Sequence, residues 1–387
     1  MISIAFTGGG TGGHIYPGLA VAERLKNLFE GQARIFWIGS SSGMDRALVE
    51  EAGIEFFGVP SGKLRRYFSL KTVSDFFKVI AGFFASRKIL KKQKALLLFS
   101  KGGFVSVPPC AAAASLKIPV YTHESDFSPG LATKLNARFV MRSVGGVFTA
   151  YEDTKHFFSE KILKKGLNDR ITVTGNPVRS IFLNADAAKG RAFLGLSETA
   201  GAESGRVLLV LGGSQGSKEI NELVRDALPS LTEYYVVAHQ TGPNLSWDIP
   251  ASERYKPFPY IKDEMPHVMA ASDLVMGRSG AGIWEWAFLG KPMLLIPLRG
   301  SGTRGDQVEN ARYFAEASAA HVLSPSGGNS VNADELIKAV KSFAEDAGKR
   351  EAYAAASLKI GKRGGAEQIA DILFKRIKTF TFNKEDD

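Results

Sequence analysis

A single cysteine, Cys110, occurs in 387 residues. One thiol makes neither an internal disulfide nor a cysteine-rich metal site, so a reducing cytosol fits best. No Asp-x-Asp is present, and the six histidines show no His-Glu-x-x-His spacing, so no metal and no cofactor are expected. No apolar run approaches the ~18 residues of a spanning helix. The chain opens on a strand-like segment without a basic leader, so no signal peptide is expected. Low-complexity tracts are also lacking. What remains, 44% hydrophobic and 23% charged residues, is the balance of a globular chain. Its length suggests two domains of roughly 150 to 200 residues each.

The net charge of +10 is unevenly placed. Residues 1–178 carry 24 Lys and Arg against 13 Asp and Glu, whereas residues 179–387 carry 25 against 26. Residues 63–94 alone hold ten bases against one acid, Asp75. The excess is one patch on one half, which a general nucleic-acid binder would not require.

A unit recurs along the chain. "ISIAFTGGGTGGHIYPGLAVAERL", "ALLLFSKGGFVSVPPCAAAASL" and "RVLLVLGGSQGSKEINELV" each run apolar strand, glycine turn, helix. Strands without polar alternation are buried on both faces, which indicates parallel sheets wrapped by helices. The unit restarts near residue 206, after the turn-rich "SETAGAESGR". Two doubly wound α/β domains are therefore predicted, with a hinge around "TGNPVRS" (174–180).

Ligands of such sheets sit at the carboxyl ends of the strands, where bare N–H groups and helix N-termini favour phosphate. A glycine turn alone could be no more than a tight turn; three of them at strand ends favour a phosphate site. Gly8, Gly10 and Gly13 satisfy the dinucleotide fingerprint, which is weak by itself. A nicotinamide site also wants an acid ending the second strand. That position reads Gly39-Ser40-Ser41, with no acid until Asp45. An NADP variant using Arg46 stays open, but a dehydrogenase loses ground.

Five ordered blocks, "FTGGGTGGHIYPGLAVAERL", "KGGFVSVPPC…HESDFSPGLATKLNARF", "GNPVR", "LGGSQGSKEINEL" and "RSGAGIWEWAFLGKPMLLIPL…RGDQVENA", cover nearly the whole chain. In them the sequence closely resembles the MurG family, bacterial N-acetylglucosaminyltransferases of peptidoglycan synthesis. The resemblance implies a GT-B fold, two Rossmann-like domains facing a cleft. Residues 1–178 would bind acceptor and membrane, and 179–365 would bind the donor. A final helix of about 366–387 would return to the first. It implies inverting transfer of GlcNAc from UDP-GlcNAc to the 4-hydroxyl of the MurNAc sugar of lipid I, giving lipid II. The expected place is the cytoplasmic face of the bacterial membrane, peripherally bound.

The resemblance also suggests roles for residues. Thr11, Gly12 and Gly13 would approach the acceptor diphosphate or the donor sugar. His14 is a candidate general base or phosphate contact, or only caps its helix. In "HESD", Asp126 stands where the family often has an amide, which makes it a second candidate base. Glu124 is a third, or else a buried structural acid. Arg179 matches a diphosphate or hinge arginine. Ser214 and Gln215 suit UDP phosphate, and Ile261 a uracil contact through its backbone. Glu285 matches an acid that accepts from both ribose hydroxyls. Gln307 is expected at the GlcNAc hydroxyls, and Asn310 either helps it or caps a turn.

The basic patch calls for its own reading. At about 100° per residue, Val73, Phe76, Phe77, Ile80, Phe83 and Phe84 fall within roughly one third of a helix circumference. Arg87, Lys88 and Lys91 extend that face. Such a stripe suits an anionic membrane, at about 1 kcal/mol per nearby base; the alternative is an internal stripe with solvated lysines. A UDP-GlcNAc 2-epimerase would share the fold and nucleotide but needs no such patch. A nucleic-acid module would use the patch and leave the glycine turns unexplained.

Overall fold

The computed structural model describes residues 2–42, 45–62, 70–196, 205–213, 215–243, 251–300, 304–324, 330–361 and 364–382, leaving aside the side chains of 70–73 and 381–382. The chain divides into two compact units, Met1–Arg179 with Gly364–Asp387, and Ser180–Arg363.

The first unit holds seven strands: β1 (Ile2–Thr7), β2 (Ala33–Ser40), β3 (Glu55–Val59), β4 (Leu97–Ser100), β5 (Val120–Glu124), β6 (Gly146–Thr149) and β7 (Ile171–Val173). Their order is β3-β2-β1-β4-β5-β6-β7, all parallel. β1, β4 and β5 are almost wholly buried, as their unbroken apolar runs predict. Apolar side chains gather on both faces of the sheet. The last helix, Gly365–Phe382, belongs to this unit. Its Ala366, Ile369, Ala370, Leu373 and Ile377 share a core with Val21, Ala22 and Leu25 of the first helix, Gly12–Leu28. That spacing of three and four is one apolar face of a helix.

The second unit repeats the plan with β8 (Val207–Leu211), β9 (Val236–Gln240), β10 (Tyr255–Phe258), β11 (Leu274–Gly277), β12 (Met293–Leu295) and β13 (Ala320–Val322). The order is β10-β9-β8-β11-β12-β13, again parallel. The predicted pair of doubly wound α/β sheets is thus observed.

In each sheet the winding reverses at one place, between β1 and β4 and between β8 and β11. Thr7 pairs with Ser100, and Leu211 with Gly277. Two glycine-rich turns therefore leave adjacent strands side by side in each unit, the location where open α/β sheets hold ligands.

Candidate functional site

In the first unit the two turns touch backbone to backbone. Gly103 has a φ of 77°, and a Cβ there would lie 2.6 Å from Gly9 O and 3.5 Å from His14 Nδ1. Only glycine allows both the dihedral and the approach. The turn after β1 rests on a buried acid. Asp45 is 1% exposed, its Oδ1 accepts from Gly10 N–H at 3.0 Å, and its Oδ2 lies where a Gly9 side chain would be. An acid shut beneath the loop is not available to ribose hydroxyls. Arg46 pairs with Glu50 at 2.7 Å and covers the Phe56 ring. Neither side chain is placed for a nicotinamide dinucleotide.

His14 starts the helix that follows, and its Nδ1 lies 2.9 Å from Thr11 Oγ1. The His14 ring and the His123 carbonyl both flank Gly102, so the β1 turn, the β4 turn and the end of β5 converge. Gly12 and Gly13 form the first turn of the helix, whose N–H groups lack partners within it. Arg179 stacks on Tyr16, with its guanidinium carbon 4.8 Å from the ring centroid. The arginine expected in the second unit lies against the first.

Of the two readings of Glu124, the hydrogen bonds favour the structural acid. It is buried at the end of β5, where Oε1 accepts from Ser125 N–H at 2.9 Å and Asp126 N–H at 3.1 Å, and Oε2 accepts from Gly130 N–H at 3.0 Å. A carboxylate that terminates three backbone donors shapes the 125–130 loop, which makes it a structural acid and a poor base. Asp126, half-buried, stays a candidate. His123 is also structural: its Nε2 meets Gly175 O at 3.0 Å, and burial holds its pKa well below the usual imidazole value.

Lys101, directly after β4, carries no role in the sequence reading. It is 1% exposed, and its ammonium donates to Ser125 Oγ, which donates to Asn176 Oδ1 at 2.7 Å. Its signal was available: a cation between a buried strand and a glycine pair.

In the second unit, Ser214 lies outside the described residues, and Gln215 is exposed beside it. Gly216 has a φ of 75°, and a Cβ there would meet Thr241 O at 2.2 Å. Ser217 caps the helix Lys218–Tyr234. Arg278, missed in the sequence, braces this corner. It donates to Ser217 Oγ at 2.9 Å, to Glu219 Oε2 at 2.5 Å and to Ile296 O at 3.0 Å.

Gln240, also missed, ties the glycine turn to the following loop. Its Nε2 donates to Gly213 O at 3.3 Å, and its Oε1 accepts from Ile261 N–H at 3.0 Å. The Ile261 side chain is core, and its N–H is engaged by Gln240. Glu285 is half-buried in the first turn of the helix Ile283–Phe288. Asn310, buried, donates to Ser279 O at 3.0 Å, and Ser279 Oγ donates to Gln307 O at 2.7 Å. Gln307 Oε1 accepts from Leu298 N–H at 3.0 Å, which orients its amide NH₂ as a donor. Among the described residues no three His, Cys, Asp or Glu side chains are grouped to hold a metal.

The helix Leu70–Lys92 presents Phe76, Phe77, Ile80 and Phe84 to solvent, the phenylalanines 57%, 64% and 62% exposed. Phe83 differs from expectation and packs on the core. At neighbouring Gly82 the helix comes so close to the sheet layer that a Cβ would meet Pro60 O at 2.2 Å. Arg87 donates to Ser115 Oγ at 2.7 Å, while Lys88, Lys91 and Lys92 are exposed. The Val73 side chain lies outside the described residues. No described helix is long and apolar enough to cross a membrane.

Residues 4–144 match the glycosyltransferase family 28 N-terminal domain, and 207–369 match the family's C-terminal domain. A UDP-N-acetylglucosamine–N-acetylmuramyl-(pentapeptide) pyrophosphoryl-undecaprenol N-acetylglucosamine transferase of Treponema denticola is 43% identical, covering 100% of both chains. Its namesake from Treponema pallidum subsp. pallidum is 44% identical over 83% of this chain and 82% of its own. The crystal structure of Acinetobacter baumannii MurG superposes with a TM-score of 0.70 at 22% identity, covering 97% of this chain and 100% of that one, a likeness of GT-B fold.

Proposed function

Because the chain belongs to the MurG family of glycosyltransferases, we propose that it transfers GlcNAc from UDP-GlcNAc to the 4-hydroxyl of the MurNAc sugar of lipid I (undecaprenyl-diphosphate-MurNAc-peptide), with inversion, giving lipid II. The observation that carries this reading is 43% identity over the full chain to a relative of that name.

The acceptor oxygen bonds to the sugar's C1 as the bond from C1 to the diphosphate oxygen breaks. The hydroxyl proton goes to a base, and the electron pair of the broken bond leaves with UDP. We assign the proton to His14. The tautomer this assignment requires has Nδ1–H donating to Thr11 Oγ1, 2.9 Å away, and the lone pair on Nε2. Asp126 accepts from hydroxyls of the acceptor sugar. Charge on the leaving diphosphate is met by N–H groups of the second glycine turn, with Ser214 and Gln215, and by the start of the helix Lys218–Tyr234. Arg179, held on Tyr16, adds a cation. Glu285 accepts from the ribose diol, Gln307 meets the GlcNAc hydroxyls, and the Ile261 carbonyl meets uracil. Thr11, Gly12 and Gly13 approach the acceptor diphosphate.

The exposed face of Phe76, Phe77, Ile80 and Phe84, flanked by Lys88, rests on anionic lipid at the cytoplasmic face of the bacterial membrane. This brings the first unit to an acceptor carried on a polyprenyl chain. Nucleic acid has no part in this reading.

Incubation with UDP-GlcNAc and a soluble lipid I analogue should yield UDP and a β-linked disaccharide, identified by mass and by the anomeric proton coupling. No disaccharide beside an active control enzyme would overturn the reading.

A further inference from the structure

The first glycine turn is held from below at both ends. Trp37 Nε1, on β2, donates to Gly8 O at 3.0 Å, and Asp45 Oδ1 accepts from Gly10 N–H at 3.0 Å. Between them, a Cβ on Gly9 would lie 2.1 Å from Asp45 Oδ2, and one on Gly10 would lie 3.0 Å from the Phe104 ring. Gly10 has a φ of 90°, which favours glycine. Asp45 opens the short helix Asp45–Glu51, 35 residues from the turn, and is 1% exposed. Its Oδ2 is buried without a hydrogen-bond partner among the described residues. A buried carboxyl group with one oxygen left over costs stability, and the proposed ligand of this turn is itself an anion. Neither burial nor attraction for the ligand accounts for an acid in that place.

Its hydrogen bond to Gly10 does. Gly10 is followed by Thr11, the N-cap of the helix Gly12–Leu28. Thr11 O accepts from His14 N–H at 3.1 Å, and Thr11 Oγ1 lies 2.9 Å from His14 Nδ1. Fixing the Gly10 peptide therefore fixes the residue that meets His14 twice, once by backbone and once by side chain. The chain of contacts runs from Asp45 through Gly10 and Thr11 to the imidazole.

We propose that Asp45 is a positioning residue for the transfer reaction: it takes the Gly10 N–H, sets the first glycine turn, and through Thr11 aims His14 at the acceptor hydroxyl. This rests on the reading above for its consequence in turnover, but not for the shape of the turn. Asp45→Ala removes the acceptor of Gly10 N–H, whereas Asp45→Asn keeps an oxygen there in a side chain of the same size. In Asp45→Ala, kcat at saturating donor and acceptor should fall roughly 10–100-fold, the scale of a small misplacement of a reacting group. UDP-GlcNAc affinity should hold, and Asp45→Asn should restore most of the lost turnover. A kcat that Asp45→Ala leaves unchanged overturns the proposal. So does Asp45→Asn as slow as Asp45→Ala, because the charge and not the hydrogen bond would then be the operative feature.

Two further readouts separate aim from folding. Asp45→Ala with His14→Ala should turn over no more slowly than His14→Ala alone; losses that multiply would contradict action through His14. Amide exchange followed by mass spectrometry should speed up in the peptide covering residues 8–14 of Asp45→Ala and match the wild type in Asp45→Asn. Exchange unmoved by Asp45→Ala would mean that the turn keeps its shape without the acid, which overturns the proposal. Exchange that speeds across the whole first sheet would make Asp45 a folding residue only, and overturns it too. Absence of transfer in the wild-type chain defeats the functional reading instead, and leaves the exchange measurement to decide whether Asp45 sets the turn.

Discussion

The two units repeat one plan and differ in what lies under the glycine turns. In the first, the turn after β1 sits on a carboxylate, Asp45, and is followed by His14, with Lys101 and Asp126 at the neighbouring strands. In the second, the turn after β8 is stitched by the amide of Gln240 and braced by the guanidinium of Arg278. Two carboxylates, an imidazole and an ammonium collect around the turns of one unit. Groups that only donate and accept hydrogen bonds collect in the other. The lesson is that the sheet decides where a ligand sits, and a few side chains from distant strands decide whether the place binds or reacts.

That contrast can be broken. His14→Ala has the largest expected effect, a fall in kcat of roughly 10²–10⁴-fold, the range of a lost general base. Steady-state rates at saturating donor and acceptor measure it; a loss below tenfold would remove the proton from His14. Next is Phe77→Asp with Phe84→Asp, chosen because both side chains are exposed. Sedimentation with anionic vesicles should fall at least about 100-fold in affinity, given ~1.5–3 kcal/mol per buried aromatic. Transfer to a soluble acceptor should be unchanged, and loss of folding in that variant would return the stripe to the core.

A smaller effect is shared by both units and so marks the limit of the contrast. Each buries a neutral histidine. His239, held between Tyr255 and Asn221, has a pKa lowered to about 4 by burial, and His123 lies well below its ordinary value. The unfolded chain therefore binds more protons below pH 6.5, and stability falls as pH drops through that window towards 4. For His239 the loss reaches ~3 kcal/mol. Calorimetric melting at pH 7, 5.5 and 4 should show a falling Tm; a flat Tm would contradict burial of neutral imidazoles.

Much of this was legible in the sequence. β1, β4 and β8 are continuous apolar runs ending in glycine, and parallel strands buried on both faces have no other pattern to show. His14, Glu285 and Gln307 were named from the family resemblance rather than from the turns. The side chains beneath the turns were harder to see because their partners are remote in sequence. Asp45 meets Gly10 across 35 residues, Gln240 meets Ile261 across 21, and Arg278 meets Ser217 across 61. Glu124 stayed open between base and structural acid for the opposite reason: an acid at a strand end looks like chemistry until its three backbone donors are seen. Phe83 misled because helical angle alone ignores the close approach at Gly82.

The division of labour is tested most directly by measuring UDP-GlcNAc affinity calorimetrically and kcat at saturating donor for His14→Ala and Glu285→Ala together. Glu285→Ala should lose roughly 1.5–3 kcal/mol of donor binding, the worth of hydrogen bonds to a charged group, and keep most of its kcat. His14→Ala should bind the donor as the wild type does and lose its turnover. Donor affinity lost in His14→Ala, or retained in Glu285→Ala, would contradict the account.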